Sequence, residues 1–295
     1  MKITIAGSLG NIGKPLTEKL IAARHQVTVI SSSSDRKQDI EALGAEASIG
    51  SVSDALFLKN AFTGADAVFT MTPPNMGGSN VIANMAEAGK AFVAAITESG
   101  VKRVVMLSSI GADLAQGTGP IIGLHRIEQL FHQIQEVSIT YLRAGYFYTN
   151  YYNDIPMIKG MGIMGGNLFA NTIIPLVHPK DIADAVAEEL EITPAGQNVK
   201  YVISDVKSPS EIAGIIGVAI GKPDLPWVEF TDEQFLQGAL QAGIPEEMAK
   251  LYKEMGAGIR NGEIPKDWVD QGSVVTGKIK FAEFAEEFAQ KFRTS

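Results

Sequence analysis

The sequence predicts an α/β fold built on a doubly wound parallel sheet, and three observations predict it. Lys2-Ile3-Thr4-Ile5-Ala6 alternates as a strand and runs into Gly7-Ser8-Leu9-Gly10-Asn11-Ile12-Gly13, three glycines placed where a strand turns into a helix. Short apolar runs then alternate with amphipathic stretches. Gly, Ser, Thr or Pro stand at the ends of those runs: Gly7, Ser31, Gly50, Thr72-Pro73-Pro74, Ser108-Ser109 and Ala144-Gly145. In open α/β sheets ligands bind beyond the carboxyl ends of the strands, so these segments are expected to line one crevice.

Taken in order, strands are expected at 2–6, 26–31, 45–49, 66–71, 102–108 and 137–143, with helices at 11–23, 36–43, 53–62, 77–98 and 120–135. Leu16, Leu20 and Ile21 recur at helical spacing in the first helix, and Val27-Thr28-Val29-Ile30 reads as a buried second strand, which makes one βαβ unit. After Gly145 the rhythm breaks into aromatic and Met-rich sequence. The glycine-rich stretch 160–166 lacks the Lys-Ser/Thr of a P-loop and reads as a mobile turn. Residues 177–190 return to strand-then-helix form, 200–204 read as another strand, and the chain from Pro209 onward is helical and punctuated by proline. A dinucleotide-binding domain is therefore expected over 1–150, with returning segments at about 177–204. A mainly α-helical substrate lobe interleaved with it is expected over 151–295.

Bulk properties exclude several classes. The 295 residues carry 25 basic and 33 acidic side chains, a net charge of −8, which argues against nucleic acid or an anionic membrane surface as partner. There is no cysteine, which removes disulfides, thiolate chemistry and cysteine-bound metals, and four scattered histidines offer no zinc spacing. Any redox chemistry needs a borrowed cofactor. The first strand begins at Lys2, and no apolar run reaches the ~20 residues of a membrane span, so a cytoplasmic location is expected. A homodimer is compatible with all of this.

The glycine turn has a physical reading as a pyrophosphate site. Glycine tolerates the backbone angles of a tight turn, a side chain at Gly10 would block close approach of a phosphate, and a helix start offers unpaired N–H groups. Its plain alternative is a tight structural turn. An acidic residue at the end of the second strand would take the adenosine ribose diol and repel a 2′-phosphate. Ser31 stands there, followed by Ser32, Ser33, Ser34, Asp35, Arg36 and Lys37. Hydroxyl donors and two cations suit a phosphate, which favours NADP (NADPH) over NAD, with Asp35 as an objection and a polar loop capped by Ser34 or Asp35 as the structural reading.

Several further segments resemble the atypical short-chain dehydrogenase/reductases of the NmrA-like family, which includes type-2 NAD(P)H:quinone oxidoreductases. Gly50-Ser51-Val52-Ser53-Asp54 is similar to the family's adenine-side segment, and Met71-Thr72-Pro73-Pro74 to its post-strand cofactor loop. Leu142-Arg143-Ala144-Gly145-Tyr146-Phe147 is similar to its Arg-Pro-Gly-x-Phe segment, with Ala144 where Pro is usual. Val177-His178-Pro179-Lys180-Asp181-Ile182-Ala183 is similar to its Asp-Ile-Ala element. The resemblance covers most of the chain. It implies a Rossmann fold and an NAD(P)H-dependent oxidoreductase whose cofactor contacts include Gly7 to Gly13, Ser31, Ser32, Ser33, Arg36, Ser51, Val52, Met71, Thr72, Pro73, Pro74, Ser108, Ser109, His125, Gly145 and Phe147.

Typical short-chain dehydrogenases carry a Tyr-x-x-x-Lys pair on the helix after the fifth strand. Here Ile121 and His125 align with that pair. Hydride delivery to a simple ketone builds an alkoxide that needs an acid, whereas a quinone yields a phenolate-like anion, and phenols titrate near ~10. A quinone or similar conjugated acceptor therefore fits the missing Tyr. His125, Ser108 and Tyr146 are the candidates nearest the chemistry, Ser108 or Ser109 steadying the developing oxyanion. A plain reading pairs His125 with Glu128. Tyr146, Tyr148, Tyr151 and Tyr152, beside Phe147 and ahead of Met157, Met161 and Met164, could stack a small aromatic substrate or simply form core. Trp227 and Phe230 are candidates to cap a pocket. Asp181 reads best as an N-terminal helix charge and His178 as structural. The competing functional reading is a non-catalytic protein that senses NADP(H) and signals to a partner.

Overall fold

The structure, a computed structural model, describes residues 1–72 and 79–295. Apolar β-branched runs dictate the first unit, which comprises Met1–Ser109, Gly123–Arg143 and Ile182–Lys200. Its elements are β1 (Lys2–Ala6), α1 (Gly13–Ala22), β2 (Gln26–Ser31), α2 (Lys37–Ala42), β3 (Glu46–Ile49), α3 (Ala55–Phe62), β4 (Ala67–Thr70), α4 (Val81–Ser99), β5 (Arg103–Ser109), α5 (Ile121–Phe131) and β6 (Ser138–Ala144). Further along the chain come β7 (Tyr146–Phe147), a 3₁₀ segment (Tyr148–Asp154), α6 (Ile155–Met161), β8 (Met164–Gly166), β9 (Ile174–Val177), α7 (Pro179–Leu190) and β10 (Gln197–Val202).

Seven strands form one sheet in the order β10-β6-β5-β4-β1-β2-β3. β1 pairs in parallel with β2 and β4, in register at Ala6↔Ile30 and Ala6↔Thr70. β2–β3 and β4–β5 are parallel as well. Ile3, Ile5, Val29, Val68, Phe69, Val104 and Val105 are buried, the pattern of a sheet covered on both faces. Leu16, Thr17 and Leu20 bury the inner face of α1. Between α3 and α4 the rings of Phe62 and Phe92 stack at 6.4 Å. Strand order reverses between β1 and β4, so the crevice at their carboxyl ends is the switch point where such sheets bind ligands.

The expected strands are present within one or two residues. The first helix begins at Gly13 rather than residue 11, because Asn11 and Ile12 belong to the turn. The fourth begins at Val81, after Asn80 at φ 58°, and the earlier start expected for it lies outside the described residues. The late strand is Gln197–Val202 rather than 200–204.

Buried Arg103 explains why residues 182–200 return to the sheet. Its Nη2 pairs with Glu189 Oε2 of α7 at 2.9 Å and donates to Thr140 Oγ1 at 2.9 Å, and Nε donates to the Glu189 carbonyl at 3.0 Å. Lys200 Nζ reaches the other Glu189 oxygen at 3.1 Å. Burial holds the Arg103 guanidinium below its ordinary pKa, against the opposing pull of Glu189.

The second unit comprises Ile110–Ile122, Ala144–Asp181 and Tyr201–Ser295. It adds β11 (Asp205–Lys207), α8 (Pro209–Ala219), β12 (Trp227–Glu229), α9 (Asp232–Gln241), α10 (Glu246–Arg260), α11 (Lys266–Asp270) and α12 (Phe281–Thr294). β9 pairs in parallel with β7 and antiparallel with β11. Residues 160–166 correct the expectation of a mobile turn. α6 closes at Gly162 with φ 70°, and Met164–Gly166 is a strand parallel to β12. Trp227 and Phe230 belong to that ribbon: Trp227 Nε1 donates to the Leu168 carbonyl at 3.1 Å, and the Phe230 ring lies where a Gly165 side chain would project.

The Asp181 carboxylate accepts from Ser204 Oγ at 2.6 Å and from the Ile279 amide at 3.1 Å. It stands in the first turn of α7, as expected, and also clasps two distant segments of this unit. His178 Nδ1 accepts from the Lys180 amide at 3.1 Å, and its ring meets Tyr148 edge-on at 5.7 Å.

Candidate functional site

The first unit places the glycine turn at the switch point. Gly13 lies so close to the preceding turn that a methyl there would overlap the Ser8 carbonyl oxygen and touch that of Gly7 at 3.0 Å. Only glycine lets α1 start this near β1. Beside Gly10, by contrast, a methyl would meet nothing nearer than the Ser8 carbonyl oxygen at 4.0 Å, which leaves room for a ligand against the backbone. None of the three glycines is among those with positive φ, and at Gly13 close backbone approach rather than the expected backbone angle is the reason for glycine. The first turn of α1 contains no acidic residue, and its N–H groups face the turn with the positive end of the helix dipole uncompensated. An open, glycine-lined helix start with no competing carboxylate fits a pyrophosphate.

Ser8, Leu9 and Gly7 are half-buried, while Gly10 and Asn11 are exposed and Ile12 is buried. Ser8 Oγ donates to Ser31 Oγ at 3.2 Å, and Ser31, itself 3% exposed, donates to the Ser33 carbonyl at 3.2 Å. This relay ties the glycine turn to the loop after β2. The cap of the short turn that follows is Ser33, whose Oγ accepts from the Asp35 amide, rather than Ser34 or Asp35. Ser32, Ser33 and Arg36 are exposed, with Arg36 Nη1 3.5 Å from Asp39. Ser51 Oγ accepts from the Ser53 amide, and Val52 is half-buried. The Met71 amide donates to the Ala6 carbonyl at 3.2 Å, and the tip of its side chain occupies the space beside Gly7. Thr72 is half-buried; Pro73 and Pro74 lie outside the described residues.

At the far end of β5 the chemistry differs from the expectation. Ser108 is 2% exposed and donates its hydroxyl hydrogen to Glu128 Oε1 at 2.6 Å. Glu128, on α5, is held by Arg143 of β6, Nη2 to Oε2 at 2.8 Å and Nε to Oε1 at 3.2 Å. A hydroxyl has one hydrogen, so in this arrangement Ser108 serves the buried carboxylate and is not free to steady an oxyanion. Glu128 is occupied in the same way by Arg143 and Ser108. His125 and Ser109 are half-buried in this unit.

In the second unit Gly145 has a packing reason: a methyl there would come within 2.7 Å of the Pro175 carbonyl oxygen. Tyr146 and Phe147 are half-buried on β7, paired to Leu176 and Val177. Tyr148 and Tyr151 are buried. Tyr152 stacks on Phe288 at 5.9 Å and Tyr148 lies 5.4 Å from Phe284, so these rings form core against α12.

Sequence reasoning missed the settings of three residues, Glu128 among them, which it offered only as a partner of His125. Glu128 and Arg143 look like ordinary charges on a helix and at a strand end, and only their three-dimensional meeting with Ser108 reveals them. Asp154 sits in the aromatic stretch, where the tyrosines drew attention away from it; an acid among four phenols was the available signal.

Comparison with known proteins places this geometry. Residues 7–142 match the NAD(P)H-binding family profile. An NAD(P)H azoreductase of Xenophilus azovorans is 26% identical over 302 residues, covering 98% of this chain and 99% of the relative. The NADPH-dependent quinone oxidoreductase of Escherichia coli, solved with NADPH, superposes with a TM-score of 0.81 at 20% identity over 97% of this chain and 99% of that one. The triphenylmethane reductase of Citrobacter sp., solved with NADP(H), gives 0.77 at 19% identity over 97% and 99%. At these identities the two structures bear on the fold, and the fold is theirs.

Proposed function

We propose, from the premise that residues 7–142 form an NAD(P)H-binding domain, that the chain is an oxidoreductase reducing a quinone or similar conjugated acceptor without a Tyr-Lys dyad. The observation that carries this reading is the state of the residues where an acid is expected. Ile121, at the head of α5, cannot protonate anything, and the Ser108 hydroxyl is engaged by Glu128 at 2.6 Å. Acceptors whose reduced form is a stabilised anion fit such a site best. The azoreductase, quinone oxidoreductase and triphenylmethane reductase named above act on extended π systems, which supports the same class.

Bound reduced nicotinamide supplies the hydride. The chain holds and aligns: the amides of Asn11 to Gly13 would take the pyrophosphate, and Ser32, Ser33 and Arg36 a 2′-phosphate, which favours NADPH. The Glu128–Arg143 pair fixes the ends of β5 and β6 against α5, and through α5 it orients His125, one turn earlier on the helix, toward the nicotinamide ribose or amide. Ser109 carries the second hydroxyl at this strand end.

The reading is tested by titrating NADPH and NADH and then following oxidation of the reduced cofactor with 2-methyl-1,4-naphthoquinone and with an azo dye. NADPH should bind about tenfold more tightly than NADH, a difference of ~1.4 kcal/mol, and both acceptors should accelerate its oxidation above the protein-free rate. Tight binding without turnover on any acceptor would overturn the enzyme and leave a dinucleotide-sensing protein.

A further inference from the structure

The chain has ten methionines and no cysteine, so thioethers carry all of its sulfur and all of its reversible sulfur oxidation. Met85, Met106, Met164 and Met248 are buried out of reach of a solute, whereas Met161, on α6 of the second unit, is 68% exposed. Met71 belongs to neither group. It is half-buried and follows β4 directly, at the switch point of the first unit's sheet beside the glycine turn.

Two contacts fix it there. Its amide donates to the carbonyl of Ala6, the residue before Gly7, at 3.2 Å, which carries the pairing of β1 with β4 one step past the strand. Its side chain then lies across the turn: Cε is 2.6 Å, Cβ 3.7 Å and Sδ 3.9 Å from the point where a Gly7 side chain would begin. An apolar methyl thus fills the hollow that glycine leaves, and the sulfur sits beside the backbone on which a phosphate must settle. A thioether suits this place because it is flexible, apolar and only a weak acceptor. Its sulfoxide is larger and polar, and the added oxygen arrives beside the turn whose N–H groups a pyrophosphate requires.

We propose that Met71 is a peroxide-sensitive modification site, at which conversion to the sulfoxide weakens dinucleotide binding and reduction back to the thioether restores it. In the forward step a lone pair on Sδ takes one oxygen of hydrogen peroxide, the O–O bond breaks, and the other oxygen leaves as water with both protons. Sulfur loses two electrons and the peroxide gains them. The effect on binding rests on the NAD(P)H-binding domain, and only the source of the oxidant rests on the reductase reading. A hydroquinone that returns to quinone passes two electrons and two protons to dioxygen, which forms hydrogen peroxide. Peroxide made by futile cycling of the acceptor would therefore slow the drain on NADPH at its binding step.

The test treats the cofactor-free protein with hydrogen peroxide, maps sulfoxides by peptide mass spectrometry with Met161 as the dose marker, and titrates NADPH before and after. Met71 sulfoxide should form alongside that of Met161, and the Kd for NADPH should rise about tenfold, with methionine sulfoxide reductases of both epimer classes returning it. Saturating NADP, which peroxide does not consume, should protect Met71 and leave Met161 as oxidised as before. Met71→Leu keeps an apolar side chain of similar volume without the sulfur, and compared with its own untreated form it should show no change in affinity. The proposal is overturned if Met71 stays unmodified when Met161 is fully oxidised, or is oxidised equally with and without NADP. It is overturned as well if protein carrying the Met71 sulfoxide binds NADPH as before, or if treated Met71→Leu loses as much affinity as the wild type. Turnover is not among these readouts. A protein without quinone reduction whose NADPH affinity follows the Met71 sulfoxide overturns the reductase reading alone; an active reductase whose affinity ignores it overturns this inference alone.

Discussion

Gly13 and Gly10 are both glycine at the same turn and yet do different things, which a substitution separates. At Gly13 a methyl overlaps a carbonyl oxygen, so Gly13→Ala must push α1 away from β1. It should cost about 1–3 kcal/mol of stability in the cofactor-free protein and weaken NADPH as well. Gly10→Ala meets open space in the free protein, so its thermal midpoint should match the wild type without cofactor and fall short only when NADPH is added. Thermal unfolding with and without NADPH reads both outcomes. The glycine spacing was legible because three glycines follow a strand and open a helix. The reason for Gly13 was not, since a clash with a backbone oxygen depends on coordinates rather than on residue type. Ser108 teaches the same thing: its place at a strand end was readable, but the partner that takes its hydrogen, twenty residues on, was not.

At the scale of elements, the parallel strands were readable because burial on both faces demands continuous apolar runs. The short strands β8, β11 and β12 were not: three residues leave no period to detect, and Met164–Gly166 is glycine-rich enough to pass for a turn. Charges inside elements were equally opaque, and the one joining α5 to β6 makes a sharp prediction. Glu128 is 1% exposed, so Glu128→Ala leaves the Arg143 guanidinium buried with its carboxylate partner gone and should lower stability by about 3–5 kcal/mol. Glu128→Leu combined with Arg143→Met should be less damaging than the two single changes added together. Denaturant titration of the four proteins closes the cycle; simple additivity would mean that the pair does not act as a unit.

For the whole molecule, stability against pH follows from which carboxyls are displaced and in which direction. Asp154 has its pKa raised by burial, so its contribution is fully present below the unfolded value and is lost as pH rises through about 7. Asp205, held down by the Phe281 and Val206 amides, and Asp232, held down by Arg260 and Asn167, act the other way and lose their contribution in acid. Scanning calorimetry should show the thermal midpoint falling between about pH 4 and 7 and levelling above, and Asp154→Asn should remove most of that slope, a difference of about 3 °C or more. An unchanged slope would mean that Asp154 ionises normally.

The placing of β10 next to β6 also sets a timetable for the chain as it is made. β6 ends at Ala144 and its neighbour β10 begins at Gln197, with some fifty intervening residues. At a synthesis rate of about 5–20 residues per second, β6 waits roughly 3–10 s on the ribosome with one edge unpaired. Arg103 waits longer still for Glu189, 86 residues on, about 4–17 s at the same rate, a cation destined for the interior without its counter-ion. The nascent sheet is thus sticky during a defined interval, and that interval is when a chaperone has most to offer it.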